Sequence, residues 1–339
     1  MRIVILGGSF DPIHKGHLQI AKAALAQHIG EAVWFMPTFD TPLKQQTSTP
    51  FQDRLKMIEC AIKPYRKMKL CNLEIMRKGC SYTIDSVKQL QKMYPKDTFL
   101  WLIGSDQAQQ LSKWKDIDEL YQLIQFYVYP RNQIKMDAHP QLKQLALKEI
   151  DISSSQVRKG DLTSLAYPTR SYIGEHYLYL ESLVQSCMSE KRYQHSVSVA
   201  KLCVELAKCH KVDPQKAYVA GMLHDVCKEW PRDKAERFMK CWESDKCTTP
   251  MALWHADLAY HHVERFYKIK DREILFAIAH HVIGSTKQKL AMILFIADKL
   301  DPSRGYDSSS EIEQSKKNLR AGYDLVKQQQ QTFLKKEGK

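Results

Sequence analysis

The apolar positions fall into two textures. Up to about residue 178, short apolar runs alternate with amphipathic stretches; from about Glu181 the strand-like runs stop and helical spacing takes over. Ile3 to Leu6, Ala32 to Met36, Leu70 to Ile75, Thr98 to Ile103 and Phe126 to Tyr129 predict buried strands. Between them, Leu18, Ile20, Ala21, Ala24 and Leu25 take helical spacing from about Gly16. Asp53 to Ile62 does the same, as does the stretch carrying Ile84, Val87 and Leu90. Strands alternating with helices predict a Rossmann-like parallel sheet. The second texture predicts an all-helical domain. The reading is therefore an α/β domain over 1–178 and an all-α domain over 185–339, with the boundary at 178–186.

In the first half, glycines and polar residues cluster where strands end. Gly7, Gly8, Ser9 and Phe10 follow the first strand, and His14 and His17 lie where the first helix begins. A helix N-terminus offers free N–H groups and suits phosphate. The glycine spacing matches neither the dinucleotide fingerprint nor the Walker A loop. Lys44 lies in the loop after the second strand and can reach a triphosphate. Gly104, Ser105 and Asp106 follow the Thr98 to Ile103 run, and Trp114 comes shortly after. Ser153, Ser154 and Ser155 precede a short helical turn with Arg158, which makes a second phosphate cradle. Open α/β sheets bind ligands at such strand ends.

The string GGSFDPIHKGH resembles the nucleotidyltransferase superfamily with an H/T-x-G-H signature, here His14-Lys15-Gly16-His17. Ser81-Tyr82-Thr83, Ile103-Gly104-Ser105-Asp106, Trp114 and Ile152-Ser153-Ser154-Ser155 with Arg158 narrow it to bacterial nicotinate-nucleotide adenylyltransferases. Phosphopantetheine adenylyltransferase shares the first motif but is not expected to carry the SYT and GSD…W elements. The resemblance implies that His14, His17, Lys44 and Arg158 act on the phosphates of ATP, with Mg²⁺ on the triphosphate. It implies that Tyr82, Thr83 and Trp114 hold the nicotinate of nicotinate mononucleotide, and that Asp106 lies in the mononucleotide pocket. One departure is Leu43, where that family usually has histidine.

The second half carries His195, His224-Asp225, His255, His280-His281 and Asp298 along apolar helices. A lone histidine in a helix is usually structural, but an adjacent His-Asp pair is costly to bury without a metal or ion partner. The series is similar to the HD superfamily of metal-dependent phosphohydrolases. Arg192-Tyr193-Gln194-His195, His224 to Lys228 and Ile296 to Arg304 resemble the HD-type symmetrical bis(5'-nucleosyl)-tetraphosphatases. That resemblance implies a first metal on His195, His224, Asp225 and Asp298. A second would lie on His255 and His281, with Asp225 bridging. Lys228 and Arg304 would contact phosphate, and diadenosine tetraphosphate would be cleaved to two ADP. Mixed imidazole and carboxylate ligands suit iron, manganese or zinc, and iron is the expectation. Val282 and Asp301 depart from the family's usual threonine and glutamate. The competing reading makes this domain a non-catalytic nucleotide sensor.

Composition adds limits. The net charge of +13 is spread over both halves and forms no basic arm. No nucleic-acid-binding motif appears, so anionic nucleotides are the expected partners rather than nucleic acid. No apolar run reaches membrane-spanning length. The nine cysteines form no CxxC pair, which predicts reduced thiols and a cytoplasmic protein. The tail from about Ser308 is predicted helical, with the QQQQ and KKEGK stretches fraying.

Overall fold

A computed structural model describes residues 1–38, 49–74, 82–134 and 139–336. The chain folds as two compact units, Met1–Tyr172 and Ile173–Lys339.

The first unit is built on six parallel strands: β1 (Arg2–Gly8), β2 (Ala32–Pro37), β3 (Met68–Leu70), β4 (Thr98–Gly104), β5 (Gln125–Tyr129) and β6 (Leu142–Gln144). Their order is β3-β2-β1-β4-β5-β6. The central strands read as continuous apolar runs because helices cover both faces. Ile5 pairs with Trp34 on one side and Trp101 on the other. The connections reverse direction between β1 and β4, so the loops leaving these two strands diverge and open a crevice at their C-terminal ends.

Three elements differ from the sequence expectation. The third strand is Met68–Leu70, not Leu70 to Ile75. It pairs with Val33–Phe35, and the apolar residues beyond Leu70 add no further rungs to this ladder. The helix expected from Asp53 begins at Phe51. β6 is not visible in the sequence, because an edge strand with Lys143 exposed carries no apolar signal.

The second unit is helical. Its central helix, Lys289–Lys299, is buried continuously from Leu290 to Asp298, as a helix surrounded by others must be. The long helix Glu190–Cys209 starts at Ser189, whose hydroxyl caps the Arg192 N–H. The helix Pro214–Leu223 starts at Asp213, with Pro214 pre-set at its first position. The tail forms the helices Ser309–Lys317 and Leu319–Lys336, so the QQQQ stretch is helical rather than frayed. Among the described residues, no helix is long and apolar enough to cross a membrane, and the cysteines are free thiols.

Glu190–Cys209 and Pro214–Leu223 cross closely at Gly221. A Cβ there would lie 2.5 Å from the Ala200 Cα. This crossing sets the spacing between His195 on one helix and His224 at the end of the other. Gly221→Ala gains about 1 kcal/mol of helix propensity. It meets backbone that cannot rotate away, at about 1–3 kcal/mol or more. The clash is expected to outweigh the gain, so that the variant unfolds at lower urea concentration, with a net loss of up to about 2 kcal/mol. A midpoint equal to wild type would show that the two helices separate without cost.

Candidate active sites

In the first unit, the β1 turn and the β4 turn face the crevice. A cavity of about 300 Å³ opens there, lined by Gly7, Gly8, Ser9, Tyr82, Thr83, Asp106 and Trp114, among others. These are sequence-predicted binding residues brought to one place. Trp114 packs edge-on against Phe126, which fixes the indole at the cavity wall. Thr83 is the first residue of the helix Thr83–Met93, and Tyr82 takes the cap position. A Cβ at Gly104 would lie 2.4 Å from Asp106 Oδ1, so a side chain there would displace the Asp106 carboxylate.

His14 caps the helix Lys15–Ala26, and its ring lies 3.8 Å from that of His17. The His14 backbone N–H donates to His17 Nδ1 at 3.2 Å. That bond leaves the His17 ring proton on Nε2, where it can be donated to a ligand. Burial, helped by Arg131, lowers the His14 pKa to about 4, so its ring is neutral near pH 7. Phe10, with a positive φ of 47°, packs its ring against His17 at 4.9 Å.

The Ser153, Ser154, Ser155 stretch folds against the same turn. Ser153 caps the short helix Ser154–Arg158 by accepting from the Gln156 N–H. The Ser154 hydroxyl donates to the Pro12 carbonyl at 2.9 Å. Arg158 donates to the Asp11 carbonyl, and its Nη2 lies 3.3 Å from Ser155 Oγ. Lys44, Leu43 and Ser81 lie outside the described residues.

Two arginines here are not singled out by the sequence motifs. Arg131 lies 3.6 Å from Asp106 and lines a small pocket with His14 and His17. Its place directly after β5 is the available signal. Arg54 is buried, and its Nη1 donates to the carbonyls of Ser9 (2.8 Å) and Thr38 (2.9 Å). It thereby ties the ends of β1 and β2 together. Its position on the apolar stripe with Met57, Ile58 and Ala61 is legible as an anomaly.

In the second unit, His195, His224, Asp225, His255, His281 and Asp298 are all buried and converge. Two groups, His195-His224-Asp298 and His224-Asp225-His281, each place three ligand atoms within 4.8 Å of one another. Asp225 is central. Its Oδ2 lies 3.5 Å from His224 Nε2 and 3.9 Å from His195 Nε2. Its Oδ1 lies 3.4 Å from His255 Nε2 and 3.7 Å from His281 Nε2.

Three of the four imidazoles are oriented alike. Nδ1 of His224, His255 and His281 faces the carbonyl of Gly221 (2.7 Å), Ala252 (2.9 Å) and Ile278 (2.6 Å). A carbonyl only accepts, so Nδ1 carries the proton and Nε2 the lone pair. Nε2 of His255 and His281 then face each other at 3.2 Å, an arrangement that a shared cation would relieve. Nε2 of His224 is buried without a hydrogen bond among the described residues. His195 Nε2 lies 3.2 Å from Asp298 Oδ1, and although burial opposes it, the Asp298 and Asp301 carboxylates raise the His195 pKa. Burial lowers the His224 pKa to about 4 and the His255 pKa to about 3, keeping both rings neutral as ligands must be. Burial opposes ionisation of Asp225 and Asp298, but the imidazoles of His224 and His281 around Asp225, and Lys299 with His195 around Asp298, outweigh it and hold both pKa values well below the usual range. Neutral imidazoles, ionised carboxylates and orphaned lone pairs fit divalent metal ions.

Cations ring the cluster. Arg192 pairs with Asp225 at 2.7 Å, Arg304 with Asp298 at 2.8 Å, and Lys299 with Asp298 at 2.5 Å. Lys228 Nζ lies 3.3 Å from His255 Nε2. Of these, Lys228 and Arg304 are the expected phosphate contacts; Arg192 and Lys299 lie within the same motifs, where the resemblance gives them no role. His280 turns away from the cluster and stacks on Phe276 at 3.9 Å, as adjacent helical residues must diverge.

Two family models match the chain: Cytidylyltransferase-like over residues 5–160, and HD domain over residues 192–303. The chain is 32% identical to a Mycoplasma genitalium protein named "Probable nicotinate-nucleotide adenylyltransferase/Ap4A hydrolase", over 98% of this chain and 99% of that one. A Mycoplasma pneumoniae protein of the same name is 28% identical over 95% and 97%. A Shouchella clausii protein named "Probable nicotinate-nucleotide adenylyltransferase" is 40% identical over 47% of this chain and 83% of its own length. The chain therefore belongs to the family of fused nicotinate-nucleotide adenylyltransferase/Ap4A hydrolase proteins.

Proposed function

We propose that this is a bifunctional cytoplasmic enzyme. Its first domain, residues 1 to about 178, transfers AMP from ATP to nicotinate mononucleotide, giving nicotinate adenine dinucleotide and pyrophosphate. Its second domain, from about residue 185, hydrolyses diadenosine tetraphosphate to two ADP.

The observation that supports the first activity is the crevice at the strand-order reversal, with the His17 ring at a helix start beside it. The mononucleotide's phosphate oxygen attacks the α-phosphorus of ATP, and the bond to the pyrophosphate oxygen breaks. The chain supplies positioning and charge rather than a covalent nucleophile. His17 donates Nε2–H to a phosphate oxygen. His14, being neutral, acts as a hydrogen-bond partner and not as a cation. Positive charge comes from Arg158 and Lys44. Trp114 stacks on the nicotinate ring, and main-chain N–H groups near Thr83 meet its carboxylate. Mg²⁺ carried with ATP supplies further charge neutralisation of the triphosphate.

The observation that supports the second activity is the convergence of the Nε2 atoms on the two carboxylates. His195, His224, Asp225 and Asp298 would hold one ion, and Asp225, His255 and His281 a second. Two transition-metal ions, iron first, supply Lewis acidity and lower the pKa of bound water when held there. Arg304 and Lys228 meet the phosphates, which draws them from their carboxylate and imidazole contacts. The burial of Asp225 keeps bulk water from competing at the site.

Two variants separate the activities. His17→Ala is expected to lower adenylyl transfer at least about a hundredfold, the scale of losing one transition-state donor. Its hydrolysis of diadenosine tetraphosphate should be unchanged. A rate within a few-fold of wild type would remove His17 from the mechanism. Asp225→Asn is expected to abolish that hydrolysis and to leave adenylyl transfer intact, because an amide cannot balance two dications. Hydrolysis persisting in Asp225→Asn would defeat the shared-ligand assignment.

A further inference from the structure

Three of the four converging histidines find their Nδ1 partner locally. His224, His255 and His281 each bond the carbonyl three residues upstream. His195 differs. Its Nδ1 lies 2.6 Å from Asp301 Oδ2, a carboxylate 106 residues away in sequence. Asp301 is 0% exposed.

The carboxylate is held from several directions. The Ser303 N–H donates to Oδ1 at 3.0 Å, and the Ser303 hydroxyl donates to Oδ2. The Ser198 hydroxyl, one helical turn beyond His195, helps to hold the carboxylate ionised. Asp301 thus has its lone pairs engaged and little freedom to move. A buried carboxylate fixed in this way fixes the imidazole it faces.

We propose that Asp301 is the positioning residue of the metal centre: its bond to His195 holds the proton on Nδ1, aims Nε2 at the cluster and makes that imidazole the strongest nitrogen donor of the set. The inference rests on the metal reading of this cluster. It follows from the difference in partner. A carboxylate draws on the Nδ1 proton more strongly than a carbonyl, and so raises the electron density at Nε2. His195 lies inside the helix Glu190–Cys209, as His255 lies inside Met251–His262, yet His255 takes a carbonyl and His195 a carboxylate. His224 and His281 instead stand at the C-caps of their helices.

A plainer reading is available. Asp301 also caps the turn Pro302–Arg304 by accepting from the Ser303 N–H. Asparagine serves that cap equally well, so Asp301→Asn tests the charge while keeping the turn. With the asparagine oxygen on the cap, its NH2 stands where Oδ2 accepts from His195 Nδ1, so this variant removes the charge and that bond together.

The test uses full-length protein stripped of metal and titrated with Zn²⁺ against a chromophoric chelator. Wild type is expected to take up two ions. Asp301→Asn is expected to bind one of them about 10–100-fold more weakly, the scale for partners of metal-ligating histidines. The second ion should bind as in wild type. Asp301→Glu, which retains the charge, should come within a few-fold of wild type. On the wild-type protein itself, ¹⁵N-histidine spectra of the zinc-loaded form should show His195 protonated at Nδ1 and bound through Nε2. Equal affinities for both ions in Asp301→Asn, or His195 bound through Nδ1, would overturn the inference while leaving the metal site standing. No zinc uptake by wild type would instead overturn the metal reading, and the inference with it.

Discussion

The second unit depends on a burial that is unfavourable as it stands. Four imidazoles turn Nε2 toward two ionised carboxylates, away from solvent. Each buried polar atom left without a partner costs about 1–3 kcal/mol, and Nε2 of His224 is in that position. The fold tolerates this because the Nδ1 side of every ring is satisfied, so orientation is fixed before any ion arrives. It also depends on glycine at position 221. Only there can the helices Glu190–Cys209 and Pro214–Leu223 approach closely enough to bring His195 and His224 to one centre. The surrounding Arg192, Arg304 and Lys299 offset the carboxylates and occupy the rim where an anionic substrate would approach.

The first unit solves a different problem by topology. A parallel sheet whose strand order reverses between β1 and β4 must splay its loops at that point. Gly7 and Gly8 end β1 without side chains and so let backbone come near a ligand, and His14 and His17 stand at the helix that follows. Arg54 holds the β1 and β2 ends from beneath through the Ser9 and Thr38 carbonyls. The crevice is thus braced by a buried cation, which the motif residues alone would not reveal.

Much of this is legible in the chain. The central strands are long apolar runs and the histidines sit in distinctive strings, so both units and most of their site residues can be read directly. What cannot be read has physical causes. β6 is a polar edge strand of three residues, Leu142–Gln144, whose pairing partner alone makes it a strand. β3 is shifted because pairing with β2, not apolar content, sets its limits. The QQQQ stretch stays helical because the Leu319–Lys336 helix is anchored through buried Tyr323 and Val326. Asp301 looks in sequence like a conservative departure from a motif. Its importance lies in a contact with His195 that sequence spacing cannot show.

The central proposal is that Asp225 would be the ligand shared by two metal ions, with His195, His224 and Asp298 holding one and His255 and His281 the other. Anomalous diffraction from crystals of the metal-loaded full-length protein tests it most directly. Two anomalous peaks are expected, one beside Asp225 Oδ2 with His195, His224 and Asp298, the other beside Oδ1 with His255 and His281. A single peak away from Asp225, or metal bound only outside this cluster, would contradict the account.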